Sequence, residues 1–316
     1  MSNAALSPEA APGRTSWSAS ATRAASTAGG TTTRFDSSSH CSTNGSGAMR
    51  KSFGAAASDE ANQEARPRDL PSADMPSRVA RIVERIALAS EAAAAHALLV
   101  EGAQVLGAES ALFTTFCRLH GGGAPSCRVM AVCDPIWLHR YLEAACFAHD
   151  PWIAYAASRS QPTIASSLKV VDATELNLLE VAAMAGFASV ALIPAHSGGG
   201  SSRASLLCLG HSTPRHFETL PFHPIGACAR MLALELHDWW LARLGRELMT
   251  RSRLTSADLV LLEHQALGHS SKRIAAELQI SHCSVNSRFQ RMNSRLGVAN
   301  RRRAAQLAAD CGLLSR

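Results

Sequence analysis

The stretch SSKRIAAELQISHCSVNSRFQRMNSRLG, residues 270–297, decides the fold of the C-terminal part of the chain. Ser270 or Ser271 can cap one helix, Ser281 can cap the next, and Gly297 can end that helix in a left-handed conformation. Only the turn at residues 279–280 separates the two helices, which is the short connection of a helix-turn-helix. Apolar residues recur every three or four positions of the second helix and predict one buried face: Val285, Phe289, Met292 and Leu296.

The opposite face of this second helix carries side chains that suit DNA. Small and amide side chains there can contact base edges, and the arginines beside them can hold phosphates. Residues 250–316 contain 11 Lys/Arg against 4 Asp/Glu, so this block accounts for the net charge of +6. A solvated charged face is the alternative, but a basic block around a helix-turn-helix favours DNA binding. The residues predicted to contact DNA are Lys272, Ser284, Asn286, Ser287, Gln290, Arg291 and Arg295.

The block of residues 254–301 resembles the DNA-binding domain of LuxR-type (GerE-type) regulators. The matching positions are Leu254-Thr255, Asp258, Leu262, Gly268, SSKRIA at 270–275, Ile280-Ser281, Ser284-Val285 and LGVANR at 296–301. Asp258 stands where the family usually has Glu, and Asn286 where it often has Lys. Independently of the resemblance, Thr255 and Asn300 are predicted caps of a first and a fourth helix, and Gly268 ends the first.

The preceding residues predict a domain of mixed helix and sheet. Helical spacing over residues 77–107 ends at Gly107 and precedes two short strands, 111–119 and 126–132, around the turn HGGGAP. A helix entered through Asp134-Pro135, a helix over 173–186, strands over 187–195 and 203–211 and a long helix over 220–248 follow. The predicted fold class is therefore α+β, with an α-β-α sandwich over residues 76–245. Residues 246–253 are predicted to be a linker, and 254–316 an all-α domain.

Residues 1–75 are predicted to be a disordered, low-complexity extension. This Ser/Ala/Thr/Gly tract has too few large apolar residues to offset its ordering entropy, and Met49 and Met75 are alternative start positions. The beginning of the chain lacks the order of a signal peptide, and no apolar run of about 18 residues occurs, so a cytoplasmic location without membrane contact is expected. The nine cysteines include no C-x-x-C pair, and no metal site or cofactor is predicted.

The stretch WLHRYLEAACFAHDP, residues 137–151, sets Trp137, Tyr141 and Asp150 at spacings of four and nine. Taken singly, the two rings suit core packing and Asp150 suits a cap of the next helix, before Pro151. Together they match the W-x3-Y-x8-D-P motif of the acyl-homoserine-lactone-binding domain of quorum-sensing LuxR-type regulators. The resemblance implies that Asp150 accepts from the ligand amide, Tyr141 donates to the acyl carbonyl and Trp137 donates to the lactone carbonyl.

Two positions near this motif depart from the family pattern. Ala165 stands where the family commonly has Trp, and Val190 stands where it has Gly. Loss of a ring at residue 165 enlarges the pocket or removes a wall, whereas Val190 adds bulk, so the ligand preference is expected to differ. Cys208 is predicted to line the acyl chamber, and a buried core cysteine is an equal alternative.

The sequence therefore predicts a quorum-sensing transcriptional regulator controlled by an N-acyl-homoserine lactone or a related autoinducer. It is expected to bind an inverted-repeat DNA operator as a homodimer, through the long helix ending in ELHDWWLARLG, with RNA polymerase as a further partner. The departures leave a second interpretation open, in which the chain acts without ligand or as an antiactivator in heterodimers. The HGGG at residues 120–123 resembles an esterase loop, but the chain has no G-x-S-x-G, so no enzyme is predicted.

Overall fold

The computed structural model describes residues 72–117, 126–143, 146–196 and 203–314. Its helices are α1 Met75–Ala87, α2 Ala92–Val105, α3 Pro135–Glu143, α4 Pro151–Ser158, α5 Ala173–Ala182, α6 His216–Thr219, α7 Phe222–Ser252, α8 Ser256–Ala266, α9 Ser271–Glu277, α10 His282–Leu296 and α11 Arg301–Asp310. Its strands are β1 Ser110–Cys117, β2 Ser126–Val132, β3 Thr163–Ile164, β4 Ser189–His196 and β5 Arg203–His211. The predicted HGGGAP turn and nearly all of the predicted disordered tract lie outside the described residues; Met75, counted with that tract, begins α1 and is buried.

The strands form one antiparallel sheet in the order β2-β1-β5-β4-β3. Successive side chains of a strand point to opposite faces of a sheet, and β4 shows this clearly. Ala191 and Ile193 enter the core formed with α1, α2 and α7, whereas Val190 and Leu192 enter a second core formed with α3, α4 and α5. The predicted α-β-α sandwich is thus confirmed, while the short strand β3 was not predicted.

The predicted helical pattern over residues 77–107 forms two helices, α1 and α2. A single helix of this length would extend roughly 46 Å, beyond the sheet that it has to cover. The chain instead turns between Leu88 and Glu91, and α1 and α2 both place apolar side chains in the core beneath α7. The turn is stabilised by Trp239, whose Nε1 donates to the carbonyl of Ala89 at 2.6 Å.

The C-terminal helices begin and end where the sequence signals predicted. Thr255 and Asp258 form a reciprocal capping box at the start of α8, and Ser270, Ser281 and Asn300 cap α9, α10 and α11. The predicted apolar face of α10 is buried in a core of its own, shared by α8, α9 and α11. The helix-turn-helix is therefore formed by α9 and α10.

Helix α7 packs in two cores, the one that it forms with α1, α2 and the sheet and the one of the C-terminal helices. Its first part packs against the sheet, and Leu248 near its end packs in the C-terminal core. A Cβ at Gly245 would lie 2.9 Å from the carbonyl oxygen of Cys311, so only glycine permits this approach of α7 to the C-terminal bundle. The residues predicted to form a linker are the last turns of α7 together with Arg253. No helix in the described part of the chain has the length and apolar character needed to cross a membrane.

Candidate functional site

Four aromatic side chains pack together on the face of the sheet that carries α3, α4 and α5. Trp137 lies 5.5 Å from Tyr141 and 5.3 Å from Phe187, and Trp152 lies 6.1 Å from Phe187, between ring centroids. All four side chains are buried, and we call them the aromatic cluster. The helical spacing of Trp137 and Tyr141 places both on one face of α3, as expected from residues one turn apart.

Asp150 is the charged group of this cluster and is only 3% exposed. It caps α4, because its Oδ1 accepts from the backbone N–H of Trp152 at 2.8 Å. Its Oδ2 accepts from the hydroxyl of Tyr141 at 2.5 Å. Two of the three residues that the motif singled out, Tyr141 and Asp150, are therefore in direct contact, and Asp150 has the capping role and the polar contact together.

Burial controls the ionisation of Asp150. Loss of hydration raises the pKa of this carboxyl to about 6, and the hydrogen bonds from Tyr141 and Trp152 only partly oppose that rise. At pH 7 the group is mostly ionised and can accept further hydrogen bonds. A carboxylate offers about four acceptor positions, so the donors of Tyr141, Trp152 and Ile153 leave capacity for a ligand N–H.

Trp152 is a member of the cluster that sequence reasoning missed. Its Nε1–H is buried and has no hydrogen-bond partner among the described residues. A buried donor without an acceptor costs about 1–3 kcal/mol, so such groups are uncommon unless they serve binding or strain. The sequence did contain a signal for Trp152, because a tryptophan directly after Asp150-Pro151 is conspicuous in a chain with five tryptophans.

The residues that depart from the family pattern border the same cluster. Val190 is buried on β4 and packs with the aromatic side chains, and Ala165 is half-buried at the edge of this core. Val190 pairs with Gly210 on β5, where a Cβ would lie 2.4 Å from the ring of Phe187. Only glycine at this position lets the ring lie flat over the strand.

Cys208 also faces this core and is 1% exposed. Burial, with a smaller contribution from the charge of Asp150, raises the pKa of its thiol well above the usual range, so the thiol stays protonated. An inert, buried thiol fits an apolar wall and a core residue equally.

A separate cleft of about 360 Å³ lies at α1 and α2, lined by Arg85, Leu88, Ala89, Ala94, Ala97 and Leu98. These helices cover the other face of the sheet, so the cleft is not part of the aromatic cluster. Arg85 is the one charged residue in its lining. A specific small-molecule site needs several convergent polar groups, and the cluster offers these where the cleft does not.

The predicted DNA-contacting residues lie in α9 and α10. Lys272 is exposed in the first turn of α9, and Ser287, Gln290 and Arg291 are exposed on α10, opposite its buried face. Ser284 is half-buried in the first turn of α10, where its backbone N–H donates to the capping oxygen of Ser281.

Two of the predicted DNA contacts are engaged within the protein. The Arg295 guanidinium donates to the Asp258 carboxylate at 2.8 Å and to the carbonyl of Arg253, linking α10 to the start of α8. Asn286 Oδ1 accepts from Ser271 Oγ at 3.0 Å, which links α10 to α9. Ser271 also contacts Arg301, a residue of α11 that sequence reasoning did not single out.

The tryptophan pair of α7 is divided between the core and the surface. Trp239 is buried and packs with α1 and α2, while Trp240 stacks on it at 5.2 Å between centroids and is half-buried. Met231 and Leu234 of the same helix are exposed by 43% and 39%. An apolar strip on α7 is thus available to a second protein surface.

Two protein-family models match the chain. The autoinducer binding domain matches residues 91–239, and the bacterial regulatory proteins of the luxR family match residues 252–308. No curated protein matches the chain significantly in sequence.

Solved structures are similar in fold. SdiA in complex with octanoyl-rac-glycerol is 18% identical with a TM-score of 0.58, over 78% of this chain and 99% of that chain. Escherichia coli SdiA in the space group P6522 is 19% identical with a TM-score of 0.57, over 76% of this chain and 99% of that chain. CepR2 of Burkholderia cenocepacia, described as an N-acylhomoserine-lactone-dependent LuxR-family transcription factor, is 19% identical with a TM-score of 0.44, over 52% and 95%.

Proposed function

Because the chain belongs to the LuxR-type quorum-sensing transcriptional regulators, carrying an autoinducer-binding domain followed by a luxR-family helix-turn-helix, we propose that its aromatic cluster binds an N-acyl-homoserine lactone. The observation that carries this proposal is the pair of buried polar groups in the cluster. Asp150 holds an acceptor that is costly to bury, and Trp152 holds a donor with no acceptor. An amide N–H and a carbonyl on one ligand would satisfy both.

The Tyr141 hydroxyl must change partner for the role that the family motif implies. A phenol has one proton, and here that proton goes to Asp150. Donation to the acyl carbonyl therefore requires the ligand amide to take the place of Tyr141 at Asp150. The exchange keeps the number of hydrogen bonds at Asp150 constant, so the carboxylate is not left unsatisfied.

We assign the lactone carbonyl of the ligand to the indole groups. Trp137 was predicted to donate to the lactone carbonyl, and the free Nε1–H of Trp152 offers a second donor on the same face of the sheet. Val190, Ala165 and Cys208 would contact the apolar part of the ligand, because they border the cluster without offering a charged group. The extra methyl groups of Val190 favour a slim acyl chain beside β4.

The DNA-binding step is assigned to α9 and α10 of two protomers. The exposed residues Ser287, Gln290 and Arg291 would meet base edges and phosphates, and Lys272 would meet phosphate. The apolar strip of Met231 and Leu234 on α7 would form the contact between protomers. A homodimer would then reach the two halves of an inverted repeat.

Thermal unfolding with a panel of lactones of increasing acyl length tests the ligand assignment. A ligand that binds only the folded state stabilises it by about 2.7 kcal/mol at a hundred times its dissociation constant. Wild type should shift with at least one lactone, and an Asp150→Asn variant should not. Octanoyl glycerol belongs in the panel, because a shift with this ester and with no lactone would assign a different acyl ligand.

The competing function is that of a regulator that needs no ligand. Val190 adds bulk to the cluster and Tyr141 already satisfies Asp150, both of which favour a closed core. No shift with any acyl compound, together with operator binding by the ligand-free protein, would establish this second function and reject the first.

A further inference from the structure

Three side chains with metal-binding atoms converge in the C-terminal bundle, far along the chain from the aromatic cluster. His264 lies in the last turn of α8, His269 in the connection that follows, and Glu277 at the end of α9. The Nδ1 atoms of His264 and His269 are 2.9 Å apart. Glu277 Oε2 lies 3.1 Å from the first and 3.7 Å from the second. One ligand atom from each of three chain segments therefore faces the same point.

Protons satisfy the two short contacts only if one hydrogen, on His264 Nδ1, is shared between His269 and Glu277. An imidazole Nδ1 carries at most one hydrogen, and an ionised carboxylate carries none. If only one ring has its proton at Nδ1, the other ring faces Glu277 with an acceptor against an acceptor, at 3.7 Å if that ring is His269 and at 3.1 Å if it is His264. If both rings have it there, the contact between His264 and His269 sets two donors against each other. A cation at the centre would be matched by three lone pairs.

The spacing of the three atoms is that of a tetrahedral metal site. Bonds of about 2.0–2.1 Å to zinc place neighbouring ligand atoms about 3.3 Å apart. The separations here are 2.9, 3.1 and 3.7 Å, so shifts of a few tenths of an ångström would complete the triangle. The histidine side chains are 17% and 14% exposed and that of Glu277 is 37% exposed, so water can reach a fourth position.

A hydrogen bond from Arg273 orients the Glu277 carboxylate towards the two histidines. The Arg273 guanidinium donates to Glu277 Oε1 at 2.6 Å, while Oε2 faces the histidines. Metal ligands are commonly held by such outer partners, which fix the direction of the binding atom.

We propose that His264, His269 and Glu277 form a binding site for one divalent cation of the zinc class. Two nitrogen ligands and one carboxylate oxygen suit Zn²⁺, and they also accept Co²⁺, Ni²⁺ or Cu²⁺. The site joins α8 to α9 and therefore holds the first helix of the helix-turn-helix. Because Lys272 lies on α9, an occupied site would restrict the element that is predicted to contact phosphate.

The proposed metal site was not predictable from the sequence. The spacings of five and eight residues between the ligands match no helical or finger-like pattern, and no cysteine takes part. The prediction of no metal site rested on the cysteine pattern alone. The site depends on the turn after Gly268, whose left-handed conformation directs His269 back towards α8.

Titration of the metal-free full-length protein with Zn²⁺ and with Co²⁺ tests the proposal. The wild type should bind one equivalent at this site, and bound Co²⁺ should give the visible absorption of a tetrahedral site without a thiolate charge-transfer band. The double variant His264→Gln/His269→Gln should lose this equivalent. The matched control is His139→Gln, because His139 and Glu143 form an exposed pair 3.2 Å apart and are not among the three ligands.

A second variant keeps the test independent of folding. Arg273→Ala leaves all three ligands in place, and we expect it to weaken Zn²⁺ binding about tenfold, as loss of an outer partner commonly does. Helical circular dichroism of each variant without metal should equal that of the wild type. Equal Zn²⁺ stoichiometry and affinity in the wild type and the double variant would overturn the proposal. A thiolate band with Co²⁺ that persists in the double variant would also overturn it, because cysteines would then be the ligands.

Discussion

Replacing Asp150 by Asn tests whether the buried charge at the aromatic cluster reduces the stability of the ligand-free protein. Asparagine can cap α4, because its side-chain oxygen can accept from the N–H of Trp152. Its amide N–H can donate to the Tyr141 oxygen, so the contact with this residue is kept in reversed direction. The substitution therefore removes the charge and retains the local hydrogen bonds.

The magnitude follows from the pKa of Asp150, which is raised from an ordinary 3.8 to about 6. The folded state holds this proton more tightly than the unfolded state, so the contribution of Asp150 to stability is greatest below pH ~4 and is lost as the pH rises through about 6. A difference of about two pKa units corresponds to roughly 3 kcal/mol. We expect Asp150→Asn to raise the free energy of unfolding at pH 7 by up to about 3 kcal/mol and to abolish lactone binding.

Urea unfolding followed by tryptophan fluorescence is the assay, because four of the five tryptophans lie at residues 137–240. The gain should vanish at pH 4, where the wild-type carboxyl is protonated. Asp172→Asn is the matched control, since Asp172 is an exposed cap of α5 whose pKa is lowered by N–H donors of Thr174 and Glu175. Its ionised form stabilises the fold, so the control should not gain stability at pH 7. An Asp150→Asn variant less stable than the wild type at pH 7, or with an unchanged profile between pH 4 and 6, would refute this reasoning.

Four further substitutions test the remaining assignments. Trp152→Phe removes the unpaired N–H and should weaken lactone binding about tenfold in a thermal-shift titration; unchanged affinity would mean that this donor does not meet the ligand. Val190→Ala should cost about 2 kcal/mol of stability and extend binding to bulkier acyl groups; an unchanged ligand range would place the acyl chain elsewhere. Arg291→Ala should preserve the melting temperature and reduce the salt dependence of DNA binding by about one charge. Arg295→Ala should instead lower the melting temperature, because Arg295 is bound to Asp258. A lower melting temperature for Arg291→Ala and an unchanged one for Arg295→Ala would mean that Arg295 contacts DNA and Arg291 supports the fold.

Local signals in the sequence predicted most of the fold. Caps such as Thr255, Ser281 and Asn300 act within one turn of their own helix, so their effect can be read without tertiary information. The break between α1 and α2 could not be read in this way. It depends on the width of the sheet and on Trp239, which is 150 residues away from the carbonyl that it contacts. For the same reason the sequence does not predict the helical form of residues 246–252, which depends on the core that receives Leu248.

The candidate site was predictable only as a set of residues. The spacing of Trp137, Tyr141 and Asp150 implied that they lie together, and the structure places the two rings in one core with Asp150 hydrogen-bonded to Tyr141. The spacing in the sequence could not show that Tyr141 donates to Asp150, or that Trp152 lacks an acceptor among the described residues. Both features depend on the depth of burial. Arg295 illustrates the same limit, since an arginine facing DNA and an arginine holding a neighbouring helix are identical in sequence. The assignment of site residues therefore stays a prediction until the substitutions are made.

The position of the cluster suggests how ligand could influence the DNA-binding helices. Val190 and Leu192 of β4 face the cluster, while Ala191 and Ile193 of the same strand pack in the core beneath α7. Protein cores are close-packed, so a shift of β4 towards a ligand must be followed by the helix on its other face. Helix α7 continues without interruption to Leu248 and touches the C-terminal bundle closely at Gly245. Under the proposed function, a ligand that satisfies Asp150 and Trp152 would stabilise one arrangement of the strand, the long helix and the bundle. The affinity for DNA would then change according to how this arrangement positions α10.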